Sequence, residues 1–206
     1  KLDISVGILV KMKSRFNLEN EFKKSLDYIL ESKNFIYSII GVFFFFFLIG
    51  FFLPTPEPII EQIFKFIKEL LEKTKDMSQG ELIRFIFLNN LQASFFGIIF
   101  GVFLGIFPII IAIINGYLVG FIASISVREE GFFVLWKLLP HGIFELPAIF
   151  ISFGLGLKFG TFILQKNKTK SFKKYLKNSL RVLLFIIIPL LIIAAIIEGI
   201  IISISR

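Results

Sequence analysis

Residues 35–53 read "FIYSIIGVFFFFFLIGFFL", nineteen consecutive residues without a charge and with a run of phenylalanine from Phe43 to Phe47. A helix of ~20 apolar residues matches the thickness of a bilayer's hydrocarbon core. The stretch ends in "PTPEP" (residues 54–58), where proline forbids continuation. It therefore reads as a membrane-spanning helix, and the rest of the chain repeats the pattern. Apolar residues make up 56% of the 206 and charged residues 18%, against about a quarter charged in soluble domains. The run Leu82–Ser126 is too long for one crossing and divides near Gly105–Pro108 into Leu82–Leu104 and Phe107–Ser126. A fourth span covers about Pro140–Leu164 and a fifth Arg181–Ile204. The expected fold is an all-α, polytopic membrane helical bundle of five transmembrane helices with amphipathic interfacial helices.

Residues 1–34 form an amphipathic N-terminal segment and 35–206 the five-span domain. An outer amphipathic helix lies near 57–73, where Ile60, Phe64, Ile67 and Leu71 share one face. A basic loop lies at 165–180, with an amphipathic stretch, "KSFKKYLKNSL", suited to anionic lipid. Residues 127–131, "VREEG", read as an exposed loop. The N-terminal segment carries seven Lys and Arg, as does the stretch Lys166–Arg181, and the connection between spans two and three carries none. Positive-inside places the two rich segments in the cytoplasm, so the N-terminus is inside and the C-terminus outside a cell membrane. The formal charge of +8 sits beside apolar segments, where lipid headgroups account for it, and nucleic acid is not an expected partner. Absence of cysteine excludes disulfides, thiol catalysis and Cys-ligated metals. The charged N-terminal segment shows no cleavable signal peptide.

Small residues recur every four positions: Gly97, Gly101 and Gly105; Ala112, Gly116 and Gly120; Ser152, Gly156 and Gly160. Such spacing stacks them on one helix face, where backbones approach closely. Three such faces serve internal packing and also suggest a homo-oligomer.

Ionisable groups inside a span are costly and face protein. With the topology above, His141, Glu145, Glu198, Asn89 and Asn90 fall in the outer half of the bundle, and Asn115 nearer the middle. Within "PHGIFELP" (140–147), Pro140 suits a first helical position, and Pro147 removes a backbone bond, predicting a kink that frees a carbonyl near Ile143. A four-residue spacing sets His141 and Glu145 on one face. The polar groups read first as a hydrogen-bonded cluster holding helices together. The alternative is a proton or cation site of a channel or transporter, with no metal specified. Catalysis is the third reading; one histidine and no His-Glu-x-x-His argue against it, and no cofactor is expected. Lys158 is expected to snorkel to the inner surface.

"NNL" (Asn89–Leu91), "NG" (Asn115–Gly116), "HGIFELPA" (His141–Ala148) with the glycine-rich run after it, and "AAIIEG" (Ala194–Gly199) together resemble the stage II sporulation protein M family, over roughly residues 34–206. The resemblance implies a multi-span integral membrane protein. The family's sporulation member acts as a scaffold in a membrane complex with two peptidoglycan-degrading partners. On that precedent the matching polar residues are architecture more than catalysis, and the chain is expected to be non-enzymatic; the expected partners are membrane lipids, further copies of itself and other membrane proteins. The last motif continues "EGIIISIS" where the family more usually has Glu, Ala and an aromatic, and Glu198 keeps its place.

Overall fold

The computed structural model describes residues 17–205, and for residues 136–141 and 204–205 the backbone alone. The part of the N-terminal segment at 1–16 lies outside the described residues. Within them the chain is helical, with no strand. Helix α1, Leu18–Glu31, starts where the Asn17 side chain accepts from the backbone N–H groups of Glu19 and Asn20 at 3.0 and 3.4 Å. Ser32 alone separates it from α2, Lys33–Phe52, which holds the phenylalanine run. Its 20 residues span about 30 Å.

Helix α3, Glu57–Thr74, follows the proline turn. Its inward line is Ile60, Ile63, Ile67 and Thr74; Phe64 and Leu71, expected on that face, are exposed. Helix α4, Gln79–Ile99, opens with a capping box: Ser78 accepts from the Glu81 N–H, and Glu81 accepts from the Ser78 N–H at 2.9 Å. A 3-10 turn, Phe100–Val102, leads into Leu104 (φ 57°) and Gly105 (φ 71°), which reverse the chain into α5, Ile106–Glu130. The "VREE" residues belong to α5, which stops at Gly131 (φ 82°) because glycine alone adopts that conformation cheaply. Helix α6 runs Leu135–Gly160. It begins before Pro140, so Pro140 is inside the helix rather than at its first position, and it continues unbroken through Pro147. Each proline deletes one bond, and the surrounding apolar turns outweigh that loss.

The basic stretch and the last span form one continuous run of helix. Helix α7, Lys168–Val182, passes through a π segment, Leu183–Ile187, into α8, Ile188–Ser205. No helix breaker interrupts 168–188, so the expected loop is helical. Pro189 lacks the N–H that would bond four residues back, and the π segment lies immediately before it, where a wider turn relieves the ring. Five helices are long and apolar enough to cross a membrane, including Lys168–Ser203 as a 36-residue unit.

Glycine decides how these helices pack. A Cβ at Gly116 would strike the carbonyl of Phe43, one at Gly120 the carbonyl of Phe47, and one at Gly50 the carbonyl of Tyr117. Residue numbers rise together along this seam, so α2 and α5 run parallel. The second seam joins α4 to α6, also parallel. Gly101 faces the Gly156 backbone, Gly160 meets the turn at Gly105, and Gly97 abuts the Phe153 ring. The small-residue faces are thus engaged within one subunit, and they no longer argue for association between copies. Helix α8 closes the bundle against α4 and α6.

Helices α1 and α7 share one end of the bundle, termed proximal here, through Arg181–Glu21 at 2.6 Å and Lys174–Glu31 at 3.6 Å. The distal end carries α3, tied down where the Tyr117 hydroxyl donates to Thr55 Oγ1 at 2.9 Å.

Candidate functional site

Helices α4, α6 and α8 pack against one another, and each contributes a polar side chain to their junction. Glu145 of α6 is hydrogen-bonded to Glu198 of α8 and Asn90 of α4. Asn90 is 8% exposed. Two carboxyl groups in such contact need a proton between them, since an ionised carboxylate offers only acceptors. The Asn90 amide supplies both a donor and an acceptor, so it can satisfy either acid. One turn along α4, Ser94 is fully buried with no partner for its hydroxyl. The junction can hold three helices in register, and it can also hold or pass a proton.

Three of the six residues expected to converge do so: Asn90, Glu145 and Glu198. The side chain of His141 lies outside the described residues. Asn115 donates to the Ile111 carbonyl of its own helix at 2.9 Å and borders a groove under α3. Asn89 points away from the junction, exposed on the bundle surface. The reason is angular: neighbouring helical residues are 100° apart, so Asn89 and Asn90 cannot both face inward. Glu145 is also less terminal than expected, because α6 starts at Leu135, ten residues before it. Among the described residues no three His, Cys, Asp or Glu side chains gather as a metal site.

The outward Asn89 has company. Gln92 lies one turn on, and both line a cleft of about 450 Å³ between α4 and α3, opposite Glu69 and Lys73 and flanked by Phe66 and Phe85. These amides are the eleventh and fourteenth residues of the 24-residue span Gln79–Val102, so they sit at its middle.

A second polar site, at the proximal end, was not anticipated. Lys158 is only 4% exposed. Its Nζ donates to Ser32 Oγ at 3.0 Å, pairs with Glu31 at 3.1 Å, and lies 4.1 Å from the Tyr28 ring centroid and 5.6 Å from that of Tyr175. Docked α1 covers it, which is why it does not snorkel. Ser32 passes the bond on to the Tyr28 carbonyl at 2.6 Å. Burial works against the charged form of Glu31, but Lys158 and then Lys174 outweigh it and hold its carboxyl below the ordinary value. Lys24 and then Arg181 do the same for Glu21. Burial pushes the Tyr28 phenol up. The available signal was Lys158 itself: a lysine inside an apolar span requires an acid or aromatic partner, and Glu31 precedes the first span.

No curated protein and no solved structure matches the chain. Residues 39–202 match the family described as stage II sporulation protein M, and the chain belongs to that family.

Proposed function

We propose that this protein is a non-enzymatic scaffold of a cell membrane, which holds other membrane proteins, and further copies of itself, through the flank of α4. The observation that carries the reading is the position of Asn89 and Gln92. Both are exposed at the centre of a spanning helix, in the cleft opposite Glu69 and Lys73 of α3, where amides left without polar partners would lose their hydrogen bonds. A partner helix in the cleft restores them, and amides, being both donors and acceptors, also pair with their own kind. In this reading the Asn90–Glu145–Glu198 junction and the Lys158 cluster fix the shape of the scaffold. The basic proximal end faces the cytoplasm, with the C-terminus outside, in keeping with the positive-inside rule. The test is the double variant Asn89→Leu, Gln92→Leu, purified from native membranes and again in nanodiscs. Co-purifying membrane proteins or the multimer should be lost while the thermal transition is unchanged. Retention of both would sink the proposal.

A proton or cation pathway is the second reading, favoured by the two carboxyl groups in contact inside a spanning bundle. It requires ion flux in proteoliposomes that Glu198→Gln abolishes. Wild-type protein that carries no flux under an imposed gradient removes it.

A further inference from the structure

Helix α1 is amphipathic, but it docks by its polar side. Ser25 and Tyr28, at 0% and 3% exposure, face the bundle, followed by Ser32 at 0%. Leu18, Phe22, Leu26 and Leu30 repeat at intervals of four and stand 64%, 46%, 43% and 65% exposed. Lys23, Lys24 and Asp27 occupy the remaining exposed sector, Lys24 and Asp27 bordering an open cleft with Asn178 and Arg181 of α7. At 100° per residue these are three contiguous sectors: one toward protein, one apolar, one charged. Four leucine or phenylalanine side chains in a row on the outside of a helix need a cover.

We infer that the bilayer surface itself covers them: α1 lies in the plane of the proximal membrane interface, with Leu18, Phe22, Leu26 and Leu30 dipping among lipid chains. Position supports this occupant. Only Ser32 intervenes between α1 and the spanning helix α2, so α1 is held at the membrane edge. The docking contacts fix its rotation, because Glu21 grips Arg181 and Glu31 grips Lys158, and this leaves the charged sector for water. Alongside, α7 exposes Lys170, Lys173 and Lys177 on one side, charge complementary to anionic lipid headgroups. The two helices form a raft: α1 supplies the apolar insertion, α7 the charge.

The chain has no cysteine, so single-cysteine variants report one position each. Phe22→Cys, Leu26→Cys and Asp27→Cys would be labelled with bimane in proteoliposomes of phosphatidylcholine and phosphatidylglycerol, with and without brominated acyl chains. Labels at 22 and 26 should be quenched by bromolipid about threefold more than the label at 27, and aqueous iodide should reverse the order. Iodide quenching at 22 and 26 equal to that at 27 would put the stripe in water and overturn the inference. Protection from both quenchers would overturn it too, by showing that protein covers the stripe, whether residues 1–16, a second copy or another chain.

Discussion

Replacing Gly156 by alanine adds one methyl group at the tightest seam of the bundle. Its Cβ would collide with the carbonyl oxygen of Gly97, with Gly97 C at 3.0 Å and Ile98 Cα at 3.3 Å. All three are backbone atoms of α4, so no side chain can rotate away. The helices must part by roughly 1 Å, and a gap of that size forfeits a quarter to a half of each dispersion contact along the seam. Overpacking against so rigid a wall belongs near the upper end of its usual range, about 3 kcal/mol. Alanine's better helix propensity returns about 1 kcal/mol, leaving a net loss of about 2 kcal/mol. For a domain of this size that lowers the thermal midpoint by about 4–8 °C. Gly41→Ala is the matched control: the same chemical change in α2, with nothing within 4 Å of the new methyl. It should gain about 1 kcal/mol and raise the midpoint by about 2–4 °C. The assay is thermal unfolding in detergent, followed as loss of the monodisperse elution peak. The reasoning fails if the two variants shift the midpoint in the same direction.

Lys158→Met should release α1 at a cost of about 1–2 kcal/mol, less than for a fully buried pair because the Glu31 side chain is 50% exposed; trypsin cleavage at Lys23 and Lys24 reads the release. Glu31 and Glu21 have depressed carboxyl values when α1 is docked, so their contribution is complete above the ordinary glutamate range and is lost as pH falls through the folded values. A spin-label pair at positions 27 and 170 should hold a narrow distance distribution from neutral pH down to 5 and broaden below about 4; broadening on the alkaline side instead would contradict the sign. At the Asn90–Glu145–Glu198 junction, Glu145→Gln keeps a donor for Glu198 and should melt within about 1 kcal/mol of wild type. Glu145→Leu strands the partner groups and should cost about 1–3 kcal/mol, and equal melting of the two variants would mean that the hydrogen bonds contribute nothing.

The five crossings were legible because hydropathy and length are local properties: the Phe35–Leu53 stretch and α2, Lys33–Phe52, differ by two residues at one end and one at the other. The acid pair was legible for a related reason, since a carboxyl in hydrocarbon must find company, and the loop charges put Glu145 and Glu198 at similar depth. What escaped depended on rotation and on distant partners. Asn89 and Asn90 are adjacent letters facing opposite surroundings, and only the packing of α4 says which is inside. Lys158 looked like a surface lysine because its partners, Glu31 and Ser32, lie more than a hundred residues upstream. The basic stretch looked like a loop because lysine-rich sequence is polar whether helical or not; its helix is sustained by Phe159 and Phe162 packing on Phe172, with ring centroids 5.2 Å apart in each pair.

The parallel seams set an order of assembly during synthesis. Phe43 meets Gly116, and Gly101 meets Gly156, so each early stripe, on α2 and on α4, waits for a segment made more than fifty residues later. Consecutive crossings offer it no such partner: α4 and α5 share little beyond their hairpin turn. A nascent chain therefore enters the bilayer with open backbone stripes, and the bundle locks only after α6 has emerged. Until then the insertion machinery, rather than the protein's own packing, must keep the early helices from pairing with strangers.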